Sequence, residues 1–257
     1  MLKKRLIGVI TIQQGLAVQS FGYKKYLPIG APEVLVENLD RWGADEILVQ
    51  CIDRSSRSAG PDLELLQNIS REGRATPLIY SGGIRTEQDA VNAIQAGADR
   101  ICVDALLHDS PEQVARISSR LGAQALIASV PVARAERKLS WLDYRSGASS
   151  DLSASLLDIL RNKMISETLL IDWQHEGYPA AFDERLLQDF PSTGSPLIVF
   201  GGMSEADQMV SVLRMPAVAA VAVGNFLSYT EHAVQKYKAC LTGVPMREPH
   251  FDKGWTS

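Results

Sequence analysis

Apolar and polar positions alternate along the chain in two different rhythms. Short runs rich in valine, isoleucine and leucine are separated by longer segments in which apolar residues recur every three or four positions. Short continuous runs are typical of parallel strands buried on both faces, and the longer spacing is typical of amphipathic helices. The pattern predicts eight strands, near 5–12, 46–52, 77–81, 99–103, 124–131, 167–172, 196–200 and 217–223. It also predicts eight helices, near 32–43, 62–72, 86–97, 111–121, 151–163, 184–190, 204–214 and 228–241.

The two halves of the chain repeat this order with an almost constant offset. The Gly-Gly turn after the third strand, at Gly82, returns after the seventh strand at Gly201 (201 − 82 = 119). The Ile-Asp pair that closes the second strand returns at the sixth, so Asp53 and Asp172 share that offset (172 − 53 = 119). A half of four parallel strands has two open edges, and joining two halves edge to edge pairs both. The sequence therefore predicts an α/β fold, a (β/α)8 TIM barrel built by duplication of a half-barrel.

The length of 257 residues is usual for one such barrel. We expect the barrel to span residues 1–241 and a C-terminal tail with two aromatic residues to span 242–257. Two long connections break the rhythm, at 13–31 and 133–150, and both follow strands. Long loops at that end of a barrel tend to act as lids over the active site.

Composition narrows the class of partner. The net charge of −4 and the pI near 5.6 give no electrostatic reason to expect nucleic acid or an anionic membrane. The first residues lack the apolar core of a signal peptide, and no apolar stretch approaches the roughly 20 residues of a membrane helix. Cys51, Cys102 and Cys240 are widely separated, which is typical of small buried side chains in a reducing compartment. We therefore expect a cytoplasmic protein that acts on a small molecule.

Glycine turns follow three of the predicted strands at the end where barrels of this type carry their active sites. Gly82-Gly83 follows the third strand, Gly201-Gly202 the seventh, and Gly224-Asn225 the eighth. Glycine lets backbone N–H groups approach an anion, and a helix N-terminus behind them favours negative charge. These turns predict two phosphate sites across one mouth, and hence a phosphorylated small molecule anchored at both ends. The alternative is that the tight turns simply require glycine.

Three carboxylates also follow strands, namely Asp53, Asp104 and Asp172. We expect all three to face the mouth, where each could act as a general acid or base. The alternative for an aspartate at a strand end is helix capping or turn formation. His175 and Glu176 lie beside Asp172 and are candidates to join it.

Lys24 and Lys25 lie in the first long connection and are candidates for substrate contact. The four histidines show no metal-ligand spacing with a carboxylate or a cysteine. We therefore expect neither a metal ion nor a cofactor.

Four charged residues begin strands at the opposite end of the barrel: Arg5, Glu46, Arg100 and Glu167. Unpaired charges in that position would be costly, so we expect a ring of alternating ion pairs. The ring can be interpreted as a plug that closes the barrel floor or as a gate.

Five segments of the chain form a recognisable set: Leu2-Lys3-Lys4-Arg5-Leu6-Ile7, Gly43-Ala44-Asp45-Glu46-Ile47-Leu48, Ser81-Gly82-Gly83-Ile84, Ala96-Gly97-Ala98-Asp99-Arg100 and Phe200-Gly201-Gly202. Through these segments the chain resembles, over about residues 1–240, the cyclase subunits of imidazole glycerol phosphate synthase. The resemblance implies a lyase or amidotransferase-type synthase subunit. It further implies that the four ring charges form a gate, through which ammonia passes from a glutaminase subunit docked on the barrel floor.

The departures from that family are specific. Its catalytic aspartates near the ends of strands one and five are matched here by Thr11 and Pro131, and lysines around strand one are replaced by Gln13 and Gln19. The chain is more similar to a divergent branch linked to surface-polysaccharide (lipopolysaccharide O-antigen) synthesis. In that branch a barrel and a glutaminase-like partner support amidation of a sugar.

Three hypotheses for function stay open on the sequence. The first is a subunit that delivers ammonia to a phosphorylated or nucleotide-linked sugar, and the second is the cyclase of histidine biosynthesis. The third is a barrel without catalytic activity that binds a ligand and scaffolds a glutaminase.

Overall fold

The computed structural model describes residues 3–71, 73–135 and 138–248. Its strands are β1 (Arg5–Gln13), β2 (Leu16–Phe21), β3 (Lys25–Gly30), β4 (Glu46–Cys51), β5 (Leu78–Ser81), β6 (Arg100–Val103), β7 (Leu126–Ala135), β8 (Lys138–Asp143), β9 (Ala148–Asp151), β10 (Glu167–Asp172), β11 (Leu197–Phe200) and β12 (Val218–Val223). Its helices are α1 (Pro32–Arg41), α2 (Leu63–Arg71), α3 (Glu87–Gln95), α4 (Leu106–Asp109), α5 (Pro111–Leu121), α6 (Ala154–Arg161), α7 (Arg185–Asp189), α8 (Ala206–Leu213) and α9 (Ala233–Cys240).

Eight of the strands close into a parallel barrel in the order β1, β4, β5, β6, β7, β10, β11, β12 and back to β1. Helices connect successive barrel strands, and the predicted (β/α)8 barrel is confirmed. All eight predicted strands begin within two residues of the observed barrel strands.

Local sequence explains where several helices begin. Thr86 caps α3, because its hydroxyl accepts the Asp89 N–H at 3.1 Å while the Asp89 carboxylate accepts the Thr86 N–H at 3.0 Å. This capping box satisfies backbone donors that have no partner inside the helix. Proline starts α1 and α5, where its fixed φ favours the first turn.

Two apolar cores lie on the two faces of the barrel wall. Between strands and helices, the larger core buries residues such as Leu66, Ile101 and Val212. Inside the barrel, the smaller core is made by side chains that alternate inward along each strand. Its members are Ile7, Val9, Leu48, Ile79, Cys102, Ile127, Leu169, Ile171, Ile198, Phe200, Ala220 and Ala222.

Both long connections form antiparallel β-hairpins. Hairpin 1, residues 16–30, pairs β2 with the end of β1, and β3 pairs with β2. Hairpin 2, residues 138–151, pairs β8 with the end of β7, and β9 pairs with β8. The sequence predicted long lids here without predicting strands. Because the hairpins follow the first strand of each half, they are a further sign of the duplication.

The strand register corrects one predicted equivalence between the halves. Gln50 pairs with Ser81, and Ile171 pairs with Phe200. Ser81 and Phe200 both precede the Gly-Gly turn, so Gln50 and Ile171 are counterparts with an offset of 121 (171 − 50 = 121). The counterpart of Asp172 is therefore Cys51, and the predicted equivalence of Asp53 with Asp172 is wrong. The extra two residues lie between the second and third strands of the first half.

The beginning of the tail contacts the barrel floor. Lys4 N–H donates to the carbonyl of Pro245 at 2.8 Å, and Arg247 N–H donates to the carbonyl of Lys4 at 3.0 Å. The rest of the predicted tail, including Phe251 and Trp255, lies outside the described residues. Within the described ranges, no helix combines the length and hydropathy needed to cross a membrane.

Candidate active site

A closed ring of ion pairs lies across the barrel floor. Arg5 bonds Glu46 at 2.8 Å, and its guanidinium also pairs with Glu167, with one N–O distance of 3.2 Å. Arg100 bonds Glu167 at 2.7 Å and approaches Glu46 at 3.4 Å. The four side chains thus alternate in charge, as predicted. They are almost fully withdrawn from solvent, because each begins a strand and faces the barrel axis.

Apolar side chains continue along the axis above the ring. A void of about 10 Å³ lies among Ile7, Leu48, Cys102 and Leu169, together with their neighbours from the other strands. These residues lie two positions after the ring residues, so the alternation of each strand carries the axis from charge to hydrocarbon. Above this layer the interior opens into a larger cavity.

A cavity of about 350 Å³ lies at the mouth, over the ends of β4, β5, β6 and β7. Its polar lining comes from strand ends and from both hairpins. The polar lining residues include Tyr23, Gln50, Asp53, Ser55, Ser81, Asp104, Tyr144 and Arg145. The cavity therefore belongs mainly to the first half of the barrel.

Asp104 is the carboxyl group set deepest in this cavity. It follows β6 and continues the inward alternation of Arg100 and Cys102. Burial raises its pKa well above the usual range, although the indole N–H of Trp141 at 3.4 Å and the charge of Arg145 act in the opposite direction. A carboxyl group of this kind keeps its proton at a pH where ordinary aspartates have lost it, so it can serve as a general acid.

Asp53 lies at the rim of the same cavity. Its carboxylate accepts the Gln14 N–H at 3.1 Å and pairs with Arg57 at 3.4 Å. It therefore ties the beginning of the first long connection to the end of β4, which is a structural role compatible with facing the mouth.

Asp172 does not line the mouth cavity, contrary to the expectation that it faces the mouth. Leu169 and Ile171 of β10 point into the barrel, so Asp172 points toward the surrounding helices and is only 1% exposed. Its carboxylate accepts the His175 Nδ1–H at 2.7 Å and the Asp183 N–H at 2.9 Å. Burial raises its pKa, and both hydrogen bonds lower it in part. Its contacts are those of a residue that holds the loop after β10.

The first Gly-Gly turn borders the mouth cavity. A Cβ on Gly82 would lie 2.4 Å from the carbonyl oxygen of Cys51, and one on Gly83 would lie 2.5 Å from that of Gly60. Glycine is therefore required here by the close approach of the preceding loop. Gly83 N–H donates to the Ser55 hydroxyl at 3.2 Å, and Arg85, two residues after Gly83, lines the cavity wall.

The second Gly-Gly turn is packed under the loop that follows β10. A Cβ on Gly202 would lie 2.6 Å from the Phe182 nitrogen, and the Gly202 carbonyl accepts the Ala181 N–H at 3.0 Å. Gly201 has the same relation to the Asp172 carbonyl oxygen that Gly82 has to Cys51. The mouth cavity does not include Gly201, Gly202, Gly224 or Asn225.

Hairpin 1 covers this second half of the mouth. The Asn225 side-chain amide makes two hydrogen bonds with the backbone of Ser20. Its NH₂ group donates to the Ser20 carbonyl at 2.7 Å, and its oxygen accepts the Ser20 N–H at 3.2 Å. The buried Glu176 carboxyl accepts the Ser20 hydroxyl at 2.8 Å, and burial raises the pKa of Glu176. Tyr23 reaches from the hairpin turn into the barrel, where its hydroxyl donates to Gln50 at 3.1 Å.

The two predicted substrate lysines lie at the turn of hairpin 1 and at the start of β3. Lys24 is exposed, with its ammonium 5.4 Å from the ring centre of Trp173. Lys25 is exposed, with its ammonium 5.9 Å from the ring centre of Phe21. Neither lines the mouth cavity.

The barrel is similar to known proteins over nearly its whole length. The family model described as "Histidine biosynthesis protein" matches residues 5–233, which include every barrel strand. The chain belongs to this histidine biosynthesis protein family. A relative from Vibrio vulnificus, provisionally named imidazole glycerol phosphate synthase subunit hisF2, is 30% identical over 243 residues, covering 93% of this chain and 88% of the relative.

Two further relatives are named imidazole glycerol phosphate synthase subunit HisF. The one from Helicobacter hepaticus is 27% identical over 251 residues, covering 96% of this chain and 99% of the relative. The one from Lysinibacillus sphaericus is 28% identical over 255 residues, covering 96% and 100%. The similarity thus extends over whole barrels.

The structure also places the two residues that the sequence analysis singled out as departures, Thr11 and Pro131. Thr11 is buried beside Gln50 in the β1–β4 ladder, and Pro131 lines the cavity wall. Neither side chain can exchange a proton as a carboxyl group does. The cavity lining does hold carboxyl groups, and among them Asp104 is the one whose pKa burial raises well above the usual range.

Several cavity residues were not singled out by the sequence analysis. Tyr23 and Tyr144 lie at the turns of the two hairpins, and Arg85 follows the first Gly-Gly-Ile segment. A hairpin signal in the long connections would have placed both tyrosines over the mouth. Trp141, which bonds Asp104 and stacks on His108 with ring centres 3.7 Å apart, is found only from the fold.

The cysteines of the described ranges are not arranged as ligands or disulfides. Cys51 and Cys102 are buried and Cys240 is exposed. Burial raises the pKa of Cys51 to about 12, so it remains a thiol at neutral pH. Among the described residues, no group of three or more histidine, cysteine, aspartate or glutamate side chains is placed to hold a metal ion.

Proposed function

We propose that this chain is the synthase subunit of a glutamine amidotransferase, which takes ammonia from a glutaminase partner at the barrel floor and delivers it to an acceptor in the mouth cavity. The observation that carries the proposal is the line of features along the barrel axis. The buried ring lies at the floor, the apolar layer above it, and the cavity with Asp104 at the mouth.

The axis suits neutral ammonia. Ammonia crosses hydrocarbon far more easily than ammonium, because burial of an unpaired charge is strongly unfavourable. Within the described residues, the Glu46 Oε2 atom is buried in the ring without a hydrogen-bond partner. That oxygen is an acceptor for an N–H group arriving from below. Movement of the Arg5 or Arg100 side chain would then open the ring.

Asp104 supplies the proton transfer in the cavity. Ammonia attacks a C=O carbon of the acceptor, and the oxygen, which receives the electron pair of the broken π bond, takes the proton of the Asp104 carboxyl group; once the proton transfers are complete, the adduct loses this hydroxyl as water. The ammonium nitrogen of the adduct returns a proton to the resulting carboxylate. Burial raises the pKa of Asp104, which keeps its acid form available at a higher pH than in an ordinary aspartate.

The acceptor we propose is a phosphorylated or nucleotide-linked sugar, and the reaction is glycosyl amidation in lipopolysaccharide synthesis. Three observations support this choice. Thr11 and Pro131 stand where the resemblance to the cyclase implies carboxylates, the cavity carries its acid on β6 instead, and the Gly82–Gly83 turn with Arg85 offers an anion site at one wall.

The second candidate is the imidazole glycerol phosphate synthase cyclase of histidine biosynthesis. The names of the relatives favour it. Complementation of a histidine auxotroph that lacks the cyclase separates the two candidates. Growth without histidine would establish the second, and failure of a well-expressed chain to restore growth supports the first.

The gate is tested with the variant Arg5→Ala, assayed as the complex with the glutaminase. Removing one partner of a buried ion pair leaves its neighbours uncompensated, at about 3–5 kcal/mol in well-buried cases. We expect glutamine-dependent turnover to fall while turnover with ammonium salts is largely kept, because the mouth cavity is untouched. Arg41→Ala removes an exposed ion pair and serves as the control.

Two results would contradict the proposal. Equal loss with both nitrogen sources, in variant protein that remains folded, would make the ring a plug. Absence of turnover with either source in the wild-type complex would favour the scaffold hypothesis.

A further inference from the structure

We propose that the substrate carries phosphoryl groups at one end only and is anchored by them at the Gly82–Gly83 turn, while hairpin 1 and Glu176 close the opposite half of the mouth to a second phosphate. This inference rests on the proposed function, because it assumes a phosphorylated acceptor. It narrows that acceptor to a sugar monophosphate or a sugar linked at one end to a nucleotide.

The two Gly-Gly turns differ in charge at the matching position. In the first half, Arg85 follows the segment Gly82-Gly83-Ile84 and lines the mouth cavity. In the second half, the residue at the same offset is Ser204 (204 − 85 = 119). The Ser204 hydroxyl accepts the Ala180 N–H at 2.8 Å. The first Gly-Gly turn therefore has a cation beside it, Arg85, that could pair with an anion, and the second turn has the neutral Ser204 in its place.

A carboxyl group occupies the second half instead. Glu176 is 2% exposed, and it bonds the same residue, Ser20, that Asn225 grips from the end of β12. A phosphate placed beside Asn225 would lie close to this carboxyl group. Like charges in a poorly solvated place repel strongly, and the Glu176 carboxyl group already has a partner in the Ser20 hydroxyl at 2.8 Å.

Packing closes the same region against any ligand of that size. A Cβ on Gly177 would lie 2.0 Å from the Ser20 carbonyl oxygen and 2.8 Å from the Asn225 amide nitrogen. The backbone of hairpin 1 thus rests directly on the loop after β10. Both polar groups of Asn225 are used by Ser20, so its amide is engaged in holding the hairpin.

The open half has the opposite character. The cavity of about 350 Å³ extends from Arg85 and the Gly82–Gly83 turn to Asp104 and Gln50 near the axis. A sugar held by its phosphate at the cavity wall would present its other carbons to the axis, where ammonia arrives. The free end of such a sugar meets tyrosine and glutamine side chains, which suit hydroxyl groups better than a second anion.

The test compares a matched pair of probes, fructose monophosphate and fructose bisphosphate, by calorimetric titration of the full-length chain. With one anchor, the bisphosphate gains at most the statistical factor of about two in affinity. With two anchors it gains more than about tenfold, because each charged contact contributes on that scale. A gain of that size would overturn the inference and leave the proposed function standing. If neither probe binds, the phosphorylated acceptor itself is wrong, and the inference falls with it.

Variants locate the anchor and the block. Arg85→Ala should weaken both probes by about tenfold or more, whereas Arg116→Ala on the surface of α5 should change neither. Glu176→Ala should release hairpin 1 and raise the affinity for the bisphosphate alone. Thermal unfolding and circular dichroism confirm that each variant is folded. An unchanged affinity in Arg85→Ala, or an unchanged ratio between the probes in Glu176→Ala, would contradict the assignment.

Discussion

The two halves of the barrel mouth share one backbone plan and differ in what they leave open. In each half a hairpin extends the first strand, and a Gly-Gly turn with positive φ follows the third. Over β4 to β6, hairpin 2 leaves a cavity beneath it. Over β10 to β12, hairpin 1 lies directly on the strand ends. The shared plan therefore sets where a site can be, and the loops decide whether one exists.

A single pair of counterparts shows how the halves diverged. Ile79 pairs with Arg100, and Ile198 pairs with Ala220, so Asp104 after β6 is the counterpart of Gly224 after β12 (224 − 104 = 120). Over the first half, hairpin 2 donates a hydrogen bond to the strand end, from the Trp141 indole to the Asp104 carboxyl group. Over the second half, the residue after β12 donates a hydrogen bond to hairpin 1, from the Asn225 amide to the Ser20 carbonyl. The first arrangement keeps an acid at the cavity, and the second removes the cavity.

The largest effect we expect concerns the second Gly-Gly turn. Gly202→Val would bring a Cβ to 2.6 Å from the Phe182 nitrogen, in a backbone with φ +76. We expect a loss of more than about 4 kcal/mol in the free energy of unfolding, measured by urea titration. Gly194→Val is the control, because Gly194 has φ +78 and nothing within 4 Å of the added atom. It isolates backbone strain from the clash.

If the second Gly-Gly turn held a phosphate, as the sequence analysis predicts, a side chain at Gly202 would instead act by displacing that phosphate. If Gly202→Val folded as stably as Gly194→Val and lost only ligand binding, the second turn would be an anion site after all. The two halves would then be functionally alike.

The next largest effect concerns the carboxyl groups. Asp104→Asn keeps the shape of the side chain and removes the proton it can give. We expect turnover with ammonium salts to fall by about a hundredfold or more. Asp172→Asn is the matched variant in the other half. We expect it to lower the thermal stability, because Asp172 holds His175 and Asp183, and to leave turnover within about threefold of the wild type. The opposite ranking would move the chemistry to the second half.

A smaller effect is expected at the tie of hairpin 1. Asn225→Ala leaves the buried N–H and carbonyl of Ser20 without their partners, at about 1–3 kcal/mol. We expect faster hydrogen exchange of the hairpin 1 amides with little change in the midpoint of global unfolding. Asn92→Ala, on the outer surface of α3, is the control. Unchanged exchange in hairpin 1 would mean that the Asn225 contact does not hold it.

Most of the fold could be predicted from the sequence. The barrel strands are buried on both faces, so their apolar runs are continuous and their limits follow from turns and caps such as Thr86. The hairpins could not be predicted in the same way. Their strands are short and partly exposed, as at Lys25 and Leu27, and they are held by contacts with distant residues such as Asn225. The hydrophobic pattern of a short segment cannot predict contacts with residues that are distant in sequence.

The candidate site could be predicted in part. Alternation along the strands correctly places the four ring charges and Asp104 on the axis. Alternation also turns Asp172 away from the axis, toward the helices. The expectation that Asp172 faces the mouth relied instead on its place at a strand end and on its offset from Asp53, and the same offset does not mean the same register when the halves differ by two residues between strands. Arg85 lies outside any apolar pattern, and its placement at the cavity follows only from the closed barrel.

The smallest effect, and the sharpest for the open half, concerns the tie of hairpin 2. Trp141→Phe preserves an aromatic ring against His108 and removes the indole N–H that Asp104 accepts. That hydrogen bond favours the ionised carboxylate, so its loss should raise the pKa of Asp104 further. Because the folded-state pKa is raised, the group stabilises the fold fully below its unfolded pKa near about 3.9, and this stabilisation is lost as the pH rises through the folded pKa.

In Trp141→Phe, the loss of activity and the loss of stability at alkaline pH should therefore both begin at a higher pH. The alkaline limb of the pH–rate profile, where the acid form is lost, should shift upward by less than about one pH unit. Stability should fall by about 1 kcal/mol at most. The measurement is the pH–rate profile with ammonium salts, beside that of the control Trp42→Phe, whose indole lies on the barrel exterior near His232. A shift to lower pH, or none, would show that Trp141 does not set the protonation of Asp104. The first half would then owe its acid to burial alone.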